Sequence, residues 1–269
     1  MIAKKFSARI ARAVGASALG AILLSACLGK APPADTPAPR APAAAAAAPS
    51  AAFAECRTFF AGQQPPAIPS AAHLRPLCYD AFAVLHNGST RTPVFVAQRL
   101  NQALVADADE KRTNKFFADA RLPRAERAEL SDYKGSGYSR GHMAPAADMP
   151  TAQAMAQSFS LANMVPQSIK QNSGPWARIE KDTRRYASRA RGDVFVITGP
   201  VYSASHATVG ANRVGVPDYL FKLVYDAHTN RAWAHWQANR DDERNSNPIS
   251  YAELVRRTGI EFLPGLQPH

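Results

Sequence analysis

The sequence predicts an α+β domain built on a central antiparallel sheet flanked by helices. Strand-like segments come in hairpins, at 82–97 and 219–237. Segments of helical spacing lie between and after them, and no βαβ rhythm runs through the chain. With 269 residues, 46% of them hydrophobic and 9% aromatic, the chain can bury a sizeable core, which excludes wholesale disorder.

Taken in order, residues 82–85 and 92–97 are β-rich and flank His86-Asn87-Gly88-Ser89, whose Asn-Gly suits a tight hairpin turn. The charged stretch 107–138, with scattered Gly and Pro, reads as a long surface loop of the kind that often carries function. Residues 151–159 suit a short helix, and 160–165 a buried strand stopped by Pro166. In 175–189, Trp176, Ile179 and Tyr186 recur at helical spacing with Pro175 in the first turn, which makes Trp176 a core residue. Residues 193–198 read as a buried strand, and 219–226 with 231–237 as a second hairpin around His228-Thr229-Asn230. Ser250 and Glu253 form a capping-box pattern for a helix ending near Gly259.

The organisation expected is 1–26 as an export signal, 27–52 as a tether and 53–269 as one folded domain. Basic Lys4, Lys5, Arg9 and Arg12 precede an uncharged apolar run too short to span a bilayer. The run ends in Leu24-Ser25-Ala26-Cys27, which resembles a bacterial lipobox, whose cysteine is acylated after cleavage. Leu28, rather than Asp, after that cysteine directs the expectation to a lipoprotein of the cell envelope, at the outer membrane. Ala and Pro dominate the following segment, which cannot build a core and suits a semi-extended tether. If Cys27 carries lipid, Cys56 and Cys78 are left as one disulfide, worth on the order of 3 kcal/mol, and a thiolate zinc site is excluded.

The formal net charge is +11, of which the first 50 residues, with six cations against Asp35, supply five. The surplus that remains on the folded part favours a polyanionic partner.

Chemistry concentrates in Asp132-Tyr-Lys-Gly-Ser-Gly-Tyr-Ser-Arg-Gly-His142-Met-Ala-Pro-Ala-Ala-Asp148, which reads as loop and sets Arg140 two residues from His142. Phosphodiester hydrolysis needs a base for water, positive charge on the nonbridging oxygens and a Lewis acid at the leaving oxygen. His142 and Arg140 suit the first two; a structural histidine in a turn fits the same residues. A second block, Asn163-Met-Val-Pro-Gln167 followed by Asn172-Ser-Gly-Pro-Trp176-Ala-Arg-Ile-Glu180, completes a resemblance.

Tyr138-Ser139-Arg140-Gly141-His142-Met143-Ala144-Pro145 is similar to the Asp-Arg-Gly-His motif of the DNA/RNA non-specific endonucleases, and the second block to that family's Asn-x-x-Pro-Gln segment and metal-binding helix. The resemblance implies the ββα-metal nuclease fold, in a bacterial lipoprotein form. It makes His142 the general base, Asn172 the direct protein ligand of Mg²⁺ (with Mn²⁺ an alternative), Arg140 a phosphate contact and Glu180 the carboxylate that holds metal-bound water. Eight residues of helix span about 12 Å, too far for Asn172 and Glu180 both to ligate one ion. Arg112 is the candidate for the family's second arginine, on a poor local match. Asn163 and Gln167 fit either the metal's outer shell or hydrogen bonding at a strand end and turn. Lys181, Arg184 and Arg185 suit backbone tracking, with Glu180–Arg184 equally an i,i+4 pair.

Ser139 departs from the motif's Asp, although some mitochondrial members also carry Ser there. A missing carboxylate beside His142 leads to the expectation that Ser139→Asp moves the acidic limb of activity upward in pH. The function implied is metal-dependent, sequence-nonspecific hydrolysis of DNA and RNA to 5′-phosphorylated products, by a protein anchored outside the cytoplasm. The alternatives are a catalytically weak nucleic-acid-binding envelope lipoprotein and a purely structural one.

Overall fold

The computed structural model describes residues 52–269; the export signal, Cys27 and all but the last residue of the tether lie outside the described residues. In chain order the strands and helices are β1 (Leu74–Cys78), β2 (Ala83–Asn87), β3 (Thr92–Leu100), α1 (Gln102–Ala106), α2 (Leu130–Tyr133), β4 (Tyr138–His142), α3 (Ala152–Ser158), β5 (Met164–Ser168), α4 (Ile169–Gln171), α5 (Ala177–Ala187), β6 (Val194–Val201), β7 (Thr208–Val209), β8 (Val214–Gly215), β9 (Tyr219–Asp226), β10 (Arg231–Ala238), β11 (Ile249–Ser250) and α6 (Tyr251–Thr258). Seven strands form one antiparallel sheet in the order β1-β2-β3-β6-β9-β10-β11. β4 and β5 pair as a separate ribbon, and β7 with β8 as another.

Both faces of the sheet are buried, and side-chain alternation sorts its residues between them. Val84, Val96 and Leu220 face a layer containing Phe159, Val165, Trp176 and Ile179, which carries the ribbon and α5. Ala83, Leu85, Phe95, Phe221 and Leu223 face Phe53, Phe60, Leu254 and Phe262. Cys56 and Cys78 are joined as a disulfide with a Cα–Cα distance of 5.7 Å, fastening the N-terminal turn to β1. Ser250 caps α6 through the Glu253 amide, and Gly259 ends it with φ of 69°, a left-handed turn that glycine adopts without strain.

Several elements differ from the sequence reading. Residues 161–163 form a 3-10 turn, and β5 then runs through Pro166 instead of stopping there. Proline is tolerated because β5 has a strand partner on one side only, while the Pro166 carbonyl accepts from Asn239 Nδ2 at 3.0 Å. The stretch that read as loop contains β4, and β1, β7, β8 and β11 were not legible as strands. The long loop 107–138 includes α2 and is anchored along its length: Arg121 donates to Asp119 and to the Cys78 carbonyl, and Tyr79 Oη donates to Asp119 Oδ2 at 2.6 Å. Among the described residues, no helix is long and apolar enough to cross a membrane.

Candidate active site

On β4, Tyr138, Arg140 and His142 share one face, and Ser139 and Gly141 share the other. Gly141 is required: a Cβ there would lie 1.8 Å from Gln167 Oε1. Asn163, fully buried, fixes the end of the strand, its amide donating to the Ala144 and Ser158 carbonyls and accepting from the Ala144 amide, each at 2.9 Å. Those bonds occupy the side chain in pinning the backbone that follows His142, so Asn163 belongs to the frame and not to a metal's outer shell. Ser139 pairs with Gln167 on the face away from His142, so the missing carboxylate of the motif is not beside the imidazole.

The loop 107–138 reaches this strand through Phe117, whose amide donates to the Phe159 carbonyl and whose carbonyl accepts from the Leu161 amide at 2.8 Å. That clamp sets Phe116 edge-on to Phe159, ring centroids 4.9 Å apart. His142 lies against both rings, at 5.9 Å from Phe116 and 5.1 Å from Phe159. The Arg140 guanidinium sits over Phe116 at 3.9 Å and that of Arg112 over Phe159 at 5.0 Å. Arg112, weakly marked in sequence, is thus brought to the histidine by the loop. Burial first, then the positive charges of Arg112 and Arg140, lower the His142 pKa to about 3. His142 Nε2 is sealed from solvent without a hydrogen-bond partner among the described residues.

The second half of the site is carried by the helical run 169–187. Pro175 lacks an N–H to donate to the Gln171 carbonyl, and the chain widens there into a π turn, Asn172–Trp176, closed by the Ala177 amide on the Asn172 carbonyl. The extra residue absorbed by the turn matters geometrically. In an unbroken α-helix Asn172 and Glu180 would point about 80° apart; removing one residue from the count leaves them within roughly 20°, on one face. The Asn172 amide bonds no group among the described residues, and Gln167 Oε1 is buried without a donor while its Nε2 donates to Gln171 Oε1 at 2.6 Å. The Asn172 amide oxygen and the Glu180 carboxylate are hard donors of the kind Mg²⁺ prefers, so these two residues fit such an ion, whereas Gln167 Oε1 lies over Gly141 on the face of β4 away from His142. No group of three or more His, Cys, Asp or Glu that could hold a metal occurs among the described residues.

Behind Glu180 lies a buried polar cluster that sequence reasoning missed. Arg184 turns inward to Asp148 at 2.8 Å, which removes it from backbone tracking and from the Glu180 pair. Lys222, fully buried in β9, donates to Thr198 Oγ1 at 2.7 Å and lies 5.5 Å from the Trp176 ring centre, confirming Trp176 as core. Burial pushes the Glu180 carboxyl up to about 7; Asp148 adds to the rise, and Lys222, Arg184 and Arg112 oppose it. Burial likewise lowers the Lys222 pKa and raises that of Asp148. The one signal in sequence was a lysine at the centre of the apolar run Tyr219-Leu-Phe-Lys-Leu-Val-Tyr225. Phe116 and Phe159 carried no signal, since an aromatic residue reads first as core.

Ribbon, π turn and helix against an antiparallel sheet define the ββα-metal nuclease fold. A crystal structure of the EndoG/EndoGI complex shares it, with a TM-score of 0.67 at 24% identity over 74% of this chain and 89% of that one. The chain belongs to the DNA/RNA non-specific endonuclease family, whose model matches residues 65–269. It is 31% identical to the mitochondrial nuclease EXOG of Danio rerio over 70% of this chain, spanning 61% of that relative's length. A nuclease of Nostoc sp. is 30% identical over 71% of this chain and 73% of its own.

Proposed function

We propose that the protein is a metal-dependent, sequence-nonspecific nuclease that hydrolyses phosphodiester bonds of DNA and RNA. The observation that carries this reading is His142 packed against the two rings that carry the Arg140 and Arg112 guanidiniums, neither of which is ion-paired to a carboxylate among the described residues, with Arg112 in electrostatic reach of both His142 and Glu180; burial and the two positive charges disfavour the imidazolium. A neutral imidazole accepts a proton from water; with Nε2 sealed, Nδ1 is the nitrogen that does so. Arg140 and Arg112 hold the nonbridging oxygens and offset the charge that grows on them. Asn172 would hold Mg²⁺ or Mn²⁺, with Glu180 orienting the ion's waters, and a bound cation supplies Lewis acidity at the departing 3′ oxygen. Products then carry 5′-phosphates, and nothing here calls on a 2′-hydroxyl, so both DNA and RNA are substrates.

The same reading includes domain limits of 1–26, 27–52 and 53–269, acylation at Cys27 and a lipid-anchored position in the cell envelope, supported by the residues of the lipobox and tether. Replacing His142 by Ala tests the chemistry: turnover should fall by about 10²-fold to 10⁴-fold while nucleic-acid affinity and the unfolding midpoint hold. A variant retaining most of its activity would remove His142 from the mechanism.

A further inference from the structure

Arginines lie over aromatic rings at four places among the described residues, and the four divide by charge. Arg121 over Tyr79 is also bonded to Asp119, and Arg257 over Trp236 to Glu253. Arg140 over Phe116 and Arg112 over Phe159 make no ion pair with a carboxylate among the described residues, Glu180 acting on Arg112 only at longer range, and they are the two that flank His142. Arg112 is bonded through Nε to Asn114, a neutral group, at 2.7 Å.

A carboxylate would hold an exposed guanidinium firmly, but it would cancel its charge and compete with an incoming phosphate. An aromatic face attracts the cation through its quadrupole and adds no net charge. The two rings are themselves rigidly set: Phe159 is fully buried, and Phe116 is fixed edge-on to it by the backbone bonds of Phe117. We propose that Phe116 and Phe159 are positioning residues, whose faces hold Arg140 and Arg112 beside His142 with their positive charge left whole for the scissile phosphate. This inference rests on the nuclease reading, and it assigns to two apolar side chains a part in phosphate recognition that a core role alone would not give them.

A mutant cycle on the full chain tests it, with cleavage of a fluorogenic oligonucleotide as the readout. Phe116, only partly buried, is the position to alter. Phe116→Leu should lower kcat/KM by about 3-fold to 30-fold, the range a cation–π contact supplies. Phe116→Tyr, which keeps the face, should stay near the parent, and in an Arg140→Ala background Phe116→Leu should change nothing further. Thermal unfolding accompanies each variant, and Phe116→Met replaces Phe116→Leu should the latter lose its fold. Equal losses from Phe116→Leu with and without Arg140, or a Tyr variant as impaired as Leu, would overturn the proposal and leave Phe116 as packing. The parent is assayed first with and without EDTA. No cleavage by the parent overturns the nuclease reading and this inference together, whereas an active parent with an additive cycle overturns this inference alone.

Discussion

Below pH 6.5 an exposed histidine is mostly charged, whereas burial and the neighbouring Arg112 and Arg140 disfavour the imidazolium of His142 and lower its pKa to about 3. Loss of activity on the acidic side should therefore follow another group. Glu180, raised to about 7 by burial, becomes protonated as pH falls through that value, and only its carboxylate can order metal-bound water. Cation binding favours the carboxylate, so the limb should lie near pH 7 at limiting Mg²⁺, move to lower pH as Mg²⁺ rises, and flatten in Glu180→Gln. Profiles of kcat/KM against pH at two metal concentrations check this, and a limb indifferent to both metal and Glu180→Gln would contradict it. Ser139→Asp places its charge on the opposite face of β4, and it should shift that limb far less than its adjacency in sequence suggests. At this scale the polar residues His142, Arg140, Asn172 and Glu180 were legible because their order and spacing form a motif. Phe116, Asp148 and Lys222 were not, because what places them at the site is tertiary packing between segments distant in sequence.

The π turn shows how an element sets the chemistry of two residues. Its cause is Pro175, visible in sequence as a tolerable first-turn proline; its consequence for the facing of Asn172 and Glu180 depends on a helix that begins earlier, at Ile169. Pro175→Ala, which returns the missing N–H and keeps all eight residues, would let the run wind as α-helix and turn Asn172 by about 100° relative to Glu180. Activity should then collapse with helical content unchanged by circular dichroism; normal metal dependence in that variant would show that the turn is incidental. Hairpins and the Ser250 cap of α6 were read correctly, since turn and cap chemistry is local, but the reciprocal half of the capping box is not made, the Glu253 carboxylate being bonded to Arg256 and Arg257. The ribbon was not, since β4 is mostly polar, follows Gly135 and Gly137, and acquires its strand form from β5. The Cys56–Cys78 bond ties the N-terminal turn to β1 across a separation of 22 residues, and Cys56→Ser should lower stability by about 2 to 4 kcal/mol in denaturant titration, with catalysis intact at low temperature.

For the whole molecule, sheet, ribbon and loop act as one frame: the sheet supplies Lys222 and Thr198, the ribbon His142 and Arg140, and the clamped loop Arg112. The anchor proposed at Cys27 is separate in sequence from this frame, so Cys27→Ser should release the protein from membranes without altering nuclease activity. Fractionation showing the variant still membrane-bound would contradict that arrangement. On the proposed reading this frame assembles a metal-dependent nuclease around His142. That reading is tested most directly by incubating supercoiled plasmid and structured RNA with the purified protein in Mg²⁺, with and without EDTA, beside His142→Ala. Cleavage of both substrates that EDTA abolishes and His142→Ala reduces at least about a hundredfold is the predicted result. Intact substrates across Mg²⁺ and Mn²⁺, or cleavage indifferent to EDTA, would contradict it.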